Sequence, residues 1–383
     1  MTLTDTVVPV RADELVNRIT QLGPKLGADH SDRDARAEFG HAQWRDLASS
    51  ALFTAVLPVE YRGLDFTATE LIDVAFALGR TNRDSGLSFS AATHLASTGV
   101  ALTKFGSRGL KERYLPGVGT GTLIGSHAIS EPGAGSDVLS MTSRGVIEGD
   151  KIVLNGLKTY VTNGPISDLS IVYVKTSEEG GPLSLTAVLV PRGTPGAGWG
   201  PALEKVTMKT SPFGELRLHD CRVGRENIVG GVGMGFVVLD YVMTWEILIS
   251  FAINVGEMQH RLQRMIARAR DRSQFGAPLA RFQGIQNTIV DSHLAVESAR
   301  LALQEAAALL DSGQKSTAAT ASAKILTSQA NVATALAAIE LFGASGLLTE
   351  TGLESGLRDS LGGPIYSGSN AIQRQKIAKT LGL

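Results

Sequence analysis

Phe236-Val-Val-Leu-Asp-Tyr-Val-Met-Thr-Trp-Glu-Ile-Leu-Ile-Ser-Phe-Ala-Ile253 is the most apolar stretch of this 383-residue chain, and its reading decides the fold. Eighteen residues is near the lower bound for a membrane span, yet Asp240 and Glu246 interrupt the run and glycine-rich or polar sequence flanks it. A buried helix inside a bundle is the better reading. The carboxylate in the middle of such a helix then needs a reason to be there, because burying one costs several kcal/mol unless it is paired or protonated.

Downstream, helical periodicity predicts three long segments: Phe236 to about Arg272, Gln286 to about Ser312, and Ala318 to about Phe342. Each spans roughly seven to ten turns. Short breaks at Gly276-Ala-Pro, Ser312-Gly and Gly343-Ala-Ser-Gly separate them, so they pack as antiparallel neighbours. Upstream, between Leu123 and Ile228, β-branched runs take over: Lys151-Ile-Val-Leu-Asn-Gly, Ser170-Ile-Val-Tyr-Val, Leu185-Thr-Ala-Val-Leu-Val and Glu215-Leu-Arg-Leu. Short strands without long helices between them predict an antiparallel barrel or sandwich. From about Ala12 to Pro116 the pattern is helical again, broken at Gly27-Ala-Asp-His-Ser and Pro58-Val-Glu-Tyr-Arg-Gly, with a last short helix from Gly106 closed by Pro116. The order is α, then β, then α: an α+β multidomain chain.

Composition narrows the function. Lys+Arg number 36 and Asp+Glu 37, so no global charge draws the chain to nucleic acid or an anionic membrane. Cys221 is the single cysteine, which suits a reducing, cytoplasmic setting. The first thirty residues carry no secretory signal pattern. Gly231-Val-Gly-Met-Gly lacks the strand, G-x-G-x-x-G and helix arrangement of a dinucleotide site; a turn before a helix is the plainer reading. The seven histidines show no metal-ligand spacing and no G-x-S-x-G elbow is present.

Four segments carry chemistry: His127-Ala-Ile-Ser-Glu-Pro-Gly-Ala-Gly-Ser-Asp, Asn155-Gly-Leu-Lys-Thr-Tyr-Val-Thr-Asn-Gly, Arg272-Ser-Gln-Phe-Gly and Ile365-Tyr-Ser-Gly-Ser-Asn-Ala-Ile-Gln-Arg. The first alone reads as a polar turn whose glycines allow a ligand close to the backbone. In this order and at these separations the four resemble the acyl-CoA dehydrogenase family. Leu57-Pro-Val-Glu-Tyr-Arg-Gly and Gly343-Ala-Ser-Gly resemble further signposts, so the likeness spans the chain.

The resemblance implies an N-terminal α-helical domain over 1–122, a central antiparallel β-domain over 123–232 and a C-terminal four-helix bundle over 233–383, with FAD between the last two. It implies that His127, Ile129 and Ser130 contact the flavin, and that Ser136 lies near the pyrophosphate and the thioester. Tyr160, Val161 and Thr162 would line the ring, with tyrosine where most relatives have tryptophan; an aromatic there still shields one face. Arg272, Phe275 and Gln283 match positions that grip the adenosine half of FAD across a subunit boundary, for which an arginine fork suits phosphate. Glu340, Gly343 and Ala344 fall in a further FAD stretch, where the family normally has glutamine in place of Glu340 and a carboxylate would be repelled. Ser369 and Ala371 follow as FAD contacts, and Tyr366 and Gly368, with Ser136, as substrate contacts. A homotetramer, or a dimer, is implied, with an electron-transfer flavoprotein as acceptor.

Removing the α-proton of a thioester needs a carboxylate beside that carbon, with the flavin accepting hydride from the β-carbon. Most relatives place a glutamate directly after the tyrosine of the C-terminal motif; here that residue is Ser367. Glu246 is the candidate in its stead. Apolar surroundings strengthen a carboxylate as a base, and counting back thirteen residues from Gln259 reaches the position where isovaleryl-type and long-chain-type members carry theirs. A glutamate paired with a cation from another helix is the plain alternative, and Asp240 is a weak rival on a different face. Relatives that use coenzyme A often have an acid two residues before the base and an arginine just after it; this chain has Thr244 and Ile247. That weakens the case for free acyl-CoA and brings in a carrier-protein thioester, so the acyl group is expected on CoA or on an acyl carrier protein. Two other functions compete: an oxygen-using oxidase or monooxygenase on the same scaffold, and a flavoprotein without catalysis.

Overall fold

The computed structural model describes residues 10–383; residues 1–9, part of the expected N-terminal domain and of the stretch read for a signal, lie outside the described residues. Seven helices come first: α1 (Ala12–Leu26), α2 (His30–Arg36), α3 (His41–Ser49), α4 (Ala68–Thr81), α5 (Ser85–Thr93), α6 (Ala101–Phe105) and α7 (Arg108–Gly119). Between α5 and α6 the chain widens into a fully buried π-helical segment, His94–Val100, a distortion that often sits at functional sites. Pro116 does not close α7, which runs on to Gly119. A proline already has a helical φ and here costs one backbone bond in the last turn.

The strands follow: β1 (Gly125–Ala128), β2 (Arg144–Glu148), β3 (Lys151–Thr162), β4 (Leu169–Lys175), β5 (Leu185–Pro191), β6 (Ala197–Trp199), β7 (Phe213–Gly224) and β8 (Ile228–Val229). They form one sheet in the order β6-β7-β3-β2-β4-β5-β8, with β1 beside β4. Pairing is antiparallel except that β1 runs parallel to β4, and β2 touches β4 in parallel at one residue pair. The expected antiparallel β-domain is present, with β1 its exception: β1 reaches β4 only after the β2–β3 hairpin has intervened, and the two strands run the same way.

Strands β4 and β5 are buried on both faces, which explains their unbroken apolar runs. Val172, Val174, Val188 and Val190 face the inside of the β-domain. Ile171, Tyr173, Ala187 and Leu189 face the main core that they share with the helices.

The remainder is helical. Helix α8 (Gly235–Asp271) is followed by a small hairpin, β9 (Ser273–Gln274) and β10 (Ala277–Pro278), then α9 (Gln283–Asp311), α10 (Thr317–Phe342), α11 (Leu353–Ser360) and α12 (Asn370–Thr380). Helices α8, α9 and α10 pack on one another and α12 packs on α10. The stretch that opened the sequence is thus inside one 37-residue helix, and residues 245–256 of it are buried without a break. Helix α4 crosses α8 at two glycines. A Cβ at Gly79 would stand 1.9 Å from the Ile253 carbonyl and one at Gly256 2.2 Å from the Phe76 carbonyl, so only glycine allows backbones this close. The Asp311 carboxylate, at the end of α9, accepts from Ala68 N (2.7 Å) and Thr69 N (2.9 Å), an anion on the open amides of α4. These contacts fix α8 between the N-terminal helices, the sheet and the bundle.

Candidate active site

Helix α8 presents a polar line down an apolar body. Glu246, Ser250, Asn254, Glu257 and Arg261 recur every three or four residues and therefore share one face. Glu246 is 7% exposed. Its Oε1 accepts a hydrogen bond from Ser367 Oγ at 2.6 Å, and its Oε2 lies 3.9 Å from His127 Nδ1. Among the described residues no lysine or arginine forms an ion pair with it, and His127 is the basic side chain beside it. Asp240 points elsewhere and pairs with Lys376 of α12 at 2.8 Å.

The loop before α12 brings Ser367 to this face. Ser367 and Gly368 both take positive φ, 53° and 76°, and Gln373 holds the turn by donating to the carbonyls of Ser367 (3.1 Å) and Gly368 (3.3 Å). Tyr366 OH donates to Asn254 Oδ1 at 2.9 Å, and its ring packs between Phe89 (4.5 Å) and Phe251 (5.3 Å). The position left vacant by the usual base and the position proposed in its stead are 121 residues apart in sequence and in hydrogen-bond contact in space.

The S-E-P-G turn is braced from beneath. Glu131 accepts from Thr142 N (2.6 Å), Ser143 N (3.0 Å) and the Lys158 ammonium (2.7 Å). Burial opposes its charge, but Lys158, Ser143 and Thr142 outweigh burial and hold the carboxyl at about 2. Burial also pulls Lys158 down to about 8 against the attraction of Glu131. Lys158 Nζ donates on to the Ile129 carbonyl at 3.1 Å, and Thr159 N to the Ser130 carbonyl at 2.8 Å. The backbone of Ile129 and Ser130 is thereby locked, while Gly133 and Gly135 border open space and Ser136 is exposed.

Opposite this turn, a bulge in β3 between Lys158 and Val161 turns Tyr160 out at φ 56°, 60% exposed and stacked on Phe213. Val161 points the other way, into the β-domain interior, so only its backbone is free to meet a ring. Thr162 is half-buried beside it. An exposed aromatic, a rigid amide turn and hydroxyls at Ser130, Ser136 and Thr162 fit one planar, hydrogen-bonding ring with a phosphate tail.

The second group of expected FAD residues lies apart from Glu246. Arg272, Phe275 and Gln283 are exposed around the β9–β10 hairpin, Phe275 at 97% and φ 53°. Glu340, Gly343 and Ala344 are exposed as well, and Arg268 reaches Ser345 at 3.4 Å from the same end of α8. Ser369 caps α12 through Ile372 N (3.4 Å), with Ala371 in its first turn. His127 meets Glu246 and Tyr173 with its ring rather than facing the β3 bulge. The residues that sequence reading missed are Tyr173, Ser250 and Asn254. The last two were legible as a four-residue repeat from Glu246; Tyr173 gave no signal.

A helical domain, a β-domain and a helical bundle follow one another along the chain, and strand β1, helix α8 and the loop before α12 meet at the buried Glu246 carboxylate, an order shared by flavin-dependent acyl-thioester dehydrogenases. The acyl-CoA dehydrogenase N-terminal domain matches residues 22–122, the middle domain 126–221 and the C-terminal domain 233–382. The chain belongs to the acyl-CoA dehydrogenase family, oxidoreductases that act on acyl thioesters with FAD. It is 33% identical to an L-prolyl-[peptidyl-carrier protein] dehydrogenase of Serratia sp., over 94% of each chain. It is 34% identical to a cyclohex-1-ene-1-carbonyl-CoA dehydrogenase of Geobacter metallireducens, over 98% of this chain and 96% of that one. The solved structure of PigA with FAD and proline superposes at a TM-score of 0.95 with 31% identity over the whole of both chains.

Proposed function

We propose that this chain desaturates a short acyl group carried as a thioester on a carrier protein, with Glu246 as the base. The observation that carries this reading is the 2.6 Å hydrogen bond from Ser367 to Glu246. It brings a buried carboxylate that has no lysine or arginine ion pair among the described residues next to the position of the usual base, which supports this reading. FAD, when bound, supplies the hydride acceptor for the β-carbon. The protein's part is to lock the Ile129–Ser130 backbone against the ring, shield it with Tyr160, and hold Glu246 toward the α-carbon. Ser136, Tyr366 and Gly368 are the substrate contacts in this reading. Arg272, Phe275 and Gln283 are assigned to the adenosine half of FAD, with Gly343 and Ala344; Glu340, a carboxylate, fits least.

Two features support a small, polar acyl group of the prolyl kind. Phe89, Tyr366 and Phe251 pack as tilted rings beside Ser367, and Ser250 presents a buried hydroxyl without a partner among the described residues, one turn from Glu246. Thr244 and Ile247, where relatives that grip coenzyme A have an acid and an arginine, support the carrier. Anaerobic bleaching of the flavin by an L-prolyl carrier-protein thioester is expected to run at least roughly tenfold faster than by L-prolyl-CoA. Equal or faster bleaching by the CoA ester contradicts the carrier. Reduced protein that turns yellow in air as fast as with an electron-transfer flavoprotein contradicts that acceptor.

A homotetramer, or a dimer, is the proposed assembly. Val290, Leu294 and Leu301 form an exposed apolar row on α9, and Phe275 is 97% exposed. Light scattering is expected to give two or four chains per particle, and Leu294→Asp to lower that number. A monomer at micromolar concentration contradicts it.

A further inference from the structure

His127 entered the sequence reading as a flavin contact, but its ring is committed elsewhere. Nε2 lies 2.8 Å from Tyr173 OH, and Nδ1 lies 3.9 Å from Glu246 Oε2. All three side chains are buried, Tyr173 completely. Among the described residues Nδ1 has no hydrogen-bond partner. Strand pairing explains the meeting: His127 on β1 is in register with Ile171 on β4, and Tyr173, two residues on, shares that face of the sheet.

A neutral imidazole has one donor and one acceptor nitrogen, so two arrangements compete. With the proton on Nε2, the ring donates to the phenol oxygen. The buried phenol proton then has no acceptor, and the Nδ1 lone pair faces a carboxylate. With the proton on Nδ1, Tyr173 donates to Nε2 and the Nδ1–H dipole faces Glu246 Oε2. The second arrangement removes both penalties. Burial, then the nearby Glu246 charge, pushes the Tyr173 phenol well above its ordinary range, so it remains a neutral donor.

We propose that His127 is a positioning residue for the base, its tautomer fixed by Tyr173 so that Nδ1–H steers the second oxygen of Glu246. The proposal rests on Glu246 being that base. Ser367 Oγ–H on Oε1 and His127 Nδ1–H on Oε2 orient the carboxylate from both sides. Orientation then comes from two hydrogen-bond donors, with no lysine or arginine ion pair on the carboxylate among the described residues. At 3.9 Å the contact is about one ångström longer than a hydrogen bond, and such contacts shorten when substrate fills a site. The other titratable groups around Glu246 are accounted for: Asp240 pairs with Lys376, Glu257 is bonded to Asn254 (3.2 Å), and Tyr366 donates to Asn254.

The test uses holoenzyme with FAD bound. Neutron diffraction of deuterated protein is expected to show deuterium on His127 Nδ1 and on the Tyr173 oxygen. Deuterium on Nε2 alone overturns the proposal whatever the substrate is. In stopped-flow reduction by L-prolyl carrier-protein thioester, His127→Leu is expected to slow the flavin step about tenfold to a hundredfold and to move the acid limb of the rate profile to higher pH, with KM little changed. His127→Asn, which keeps an N–H near the Nδ1 position, recovers much of the rate. Tyr173→Phe, which frees the ring to take the other tautomer, falls between. Wild-type rate and pH profile in His127→Leu, or an Asn variant as slow as Leu, overturn the proposal. If Glu246→Gln itself leaves the rate unchanged, the base assignment has failed, which is a separate result.

Discussion

Glu246→Gln is expected to slow anaerobic flavin reduction by the acyl thioester by roughly 10²- to 10⁴-fold, the range that a positioned general base contributes. The amide is nearly isosteric, still accepts from Ser367 Oγ, and takes a charge out of an apolar helix, so the fold and flavin content are expected to hold or improve. Loss of rate with full yellow colour is the signature sought. Binding is expected to change little, because the carboxylate acts on the α-proton and not on the thioester carbonyl. A variant within threefold of wild type in the reductive step would place the base elsewhere.

The largest effect on stability is expected from Lys158→Met. Lys158 and Glu131 form a pair with neither partner more than 5% exposed, and removing Lys158 leaves the buried carboxylate without its counter-ion, typically about 3–5 kcal/mol. The loss falls on the turn that fixes Ile129 and Ser130, so flavin retention drops together with the unfolding midpoint. The double variant Lys158→Met with Glu131→Gln is expected to lose less than the sum of its single changes, because the stranded carboxylate is gone. Absorbance per chain and thermal unfolding of the purified protein measure both. A Lys158→Met protein with full flavin and a midpoint within about 2 °C of wild type contradicts this role; at this chain length 1 kcal/mol corresponds to about 2 °C or less.

The order α, β, α and the three long helices were legible because helical and strand periodicities differ and glycine or proline marks the breaks; each predicted long helix is present, with no end moved by more than three residues. Glu246 was legible because a carboxylate inside an apolar run is conspicuous. What stayed hidden depends on the third dimension. Ser367 read as a vacancy, and only folding shows it donating to the acid proposed in its stead. Tyr160, Val161 and Thr162 read as three consecutive ring contacts, but the bulge in β3 turns the tyrosine out and the valine in, and no local signal announces a bulge. His127 and Tyr173 are 46 residues apart on two strands whose parallel pairing was not foreseen. Pro116 read as a stop because the sequence does not say that it sits in a last turn.

The convergence of two distant positions on one carboxylate site is tested most directly by moving the acid. Ser367 Oγ lies 2.6 Å from Glu246 Oε1, so a carboxylate grown from position 367 reaches the same place. Glu246→Ser combined with Ser367→Glu is expected to regain at least roughly tenfold in anaerobic flavin reduction over Glu246→Ser alone, within the 10²- to 10⁴-fold that a base contributes. If the double variant holds its flavin and is as slow as the single one, the two positions do not serve one proton, and Glu246 is not the base.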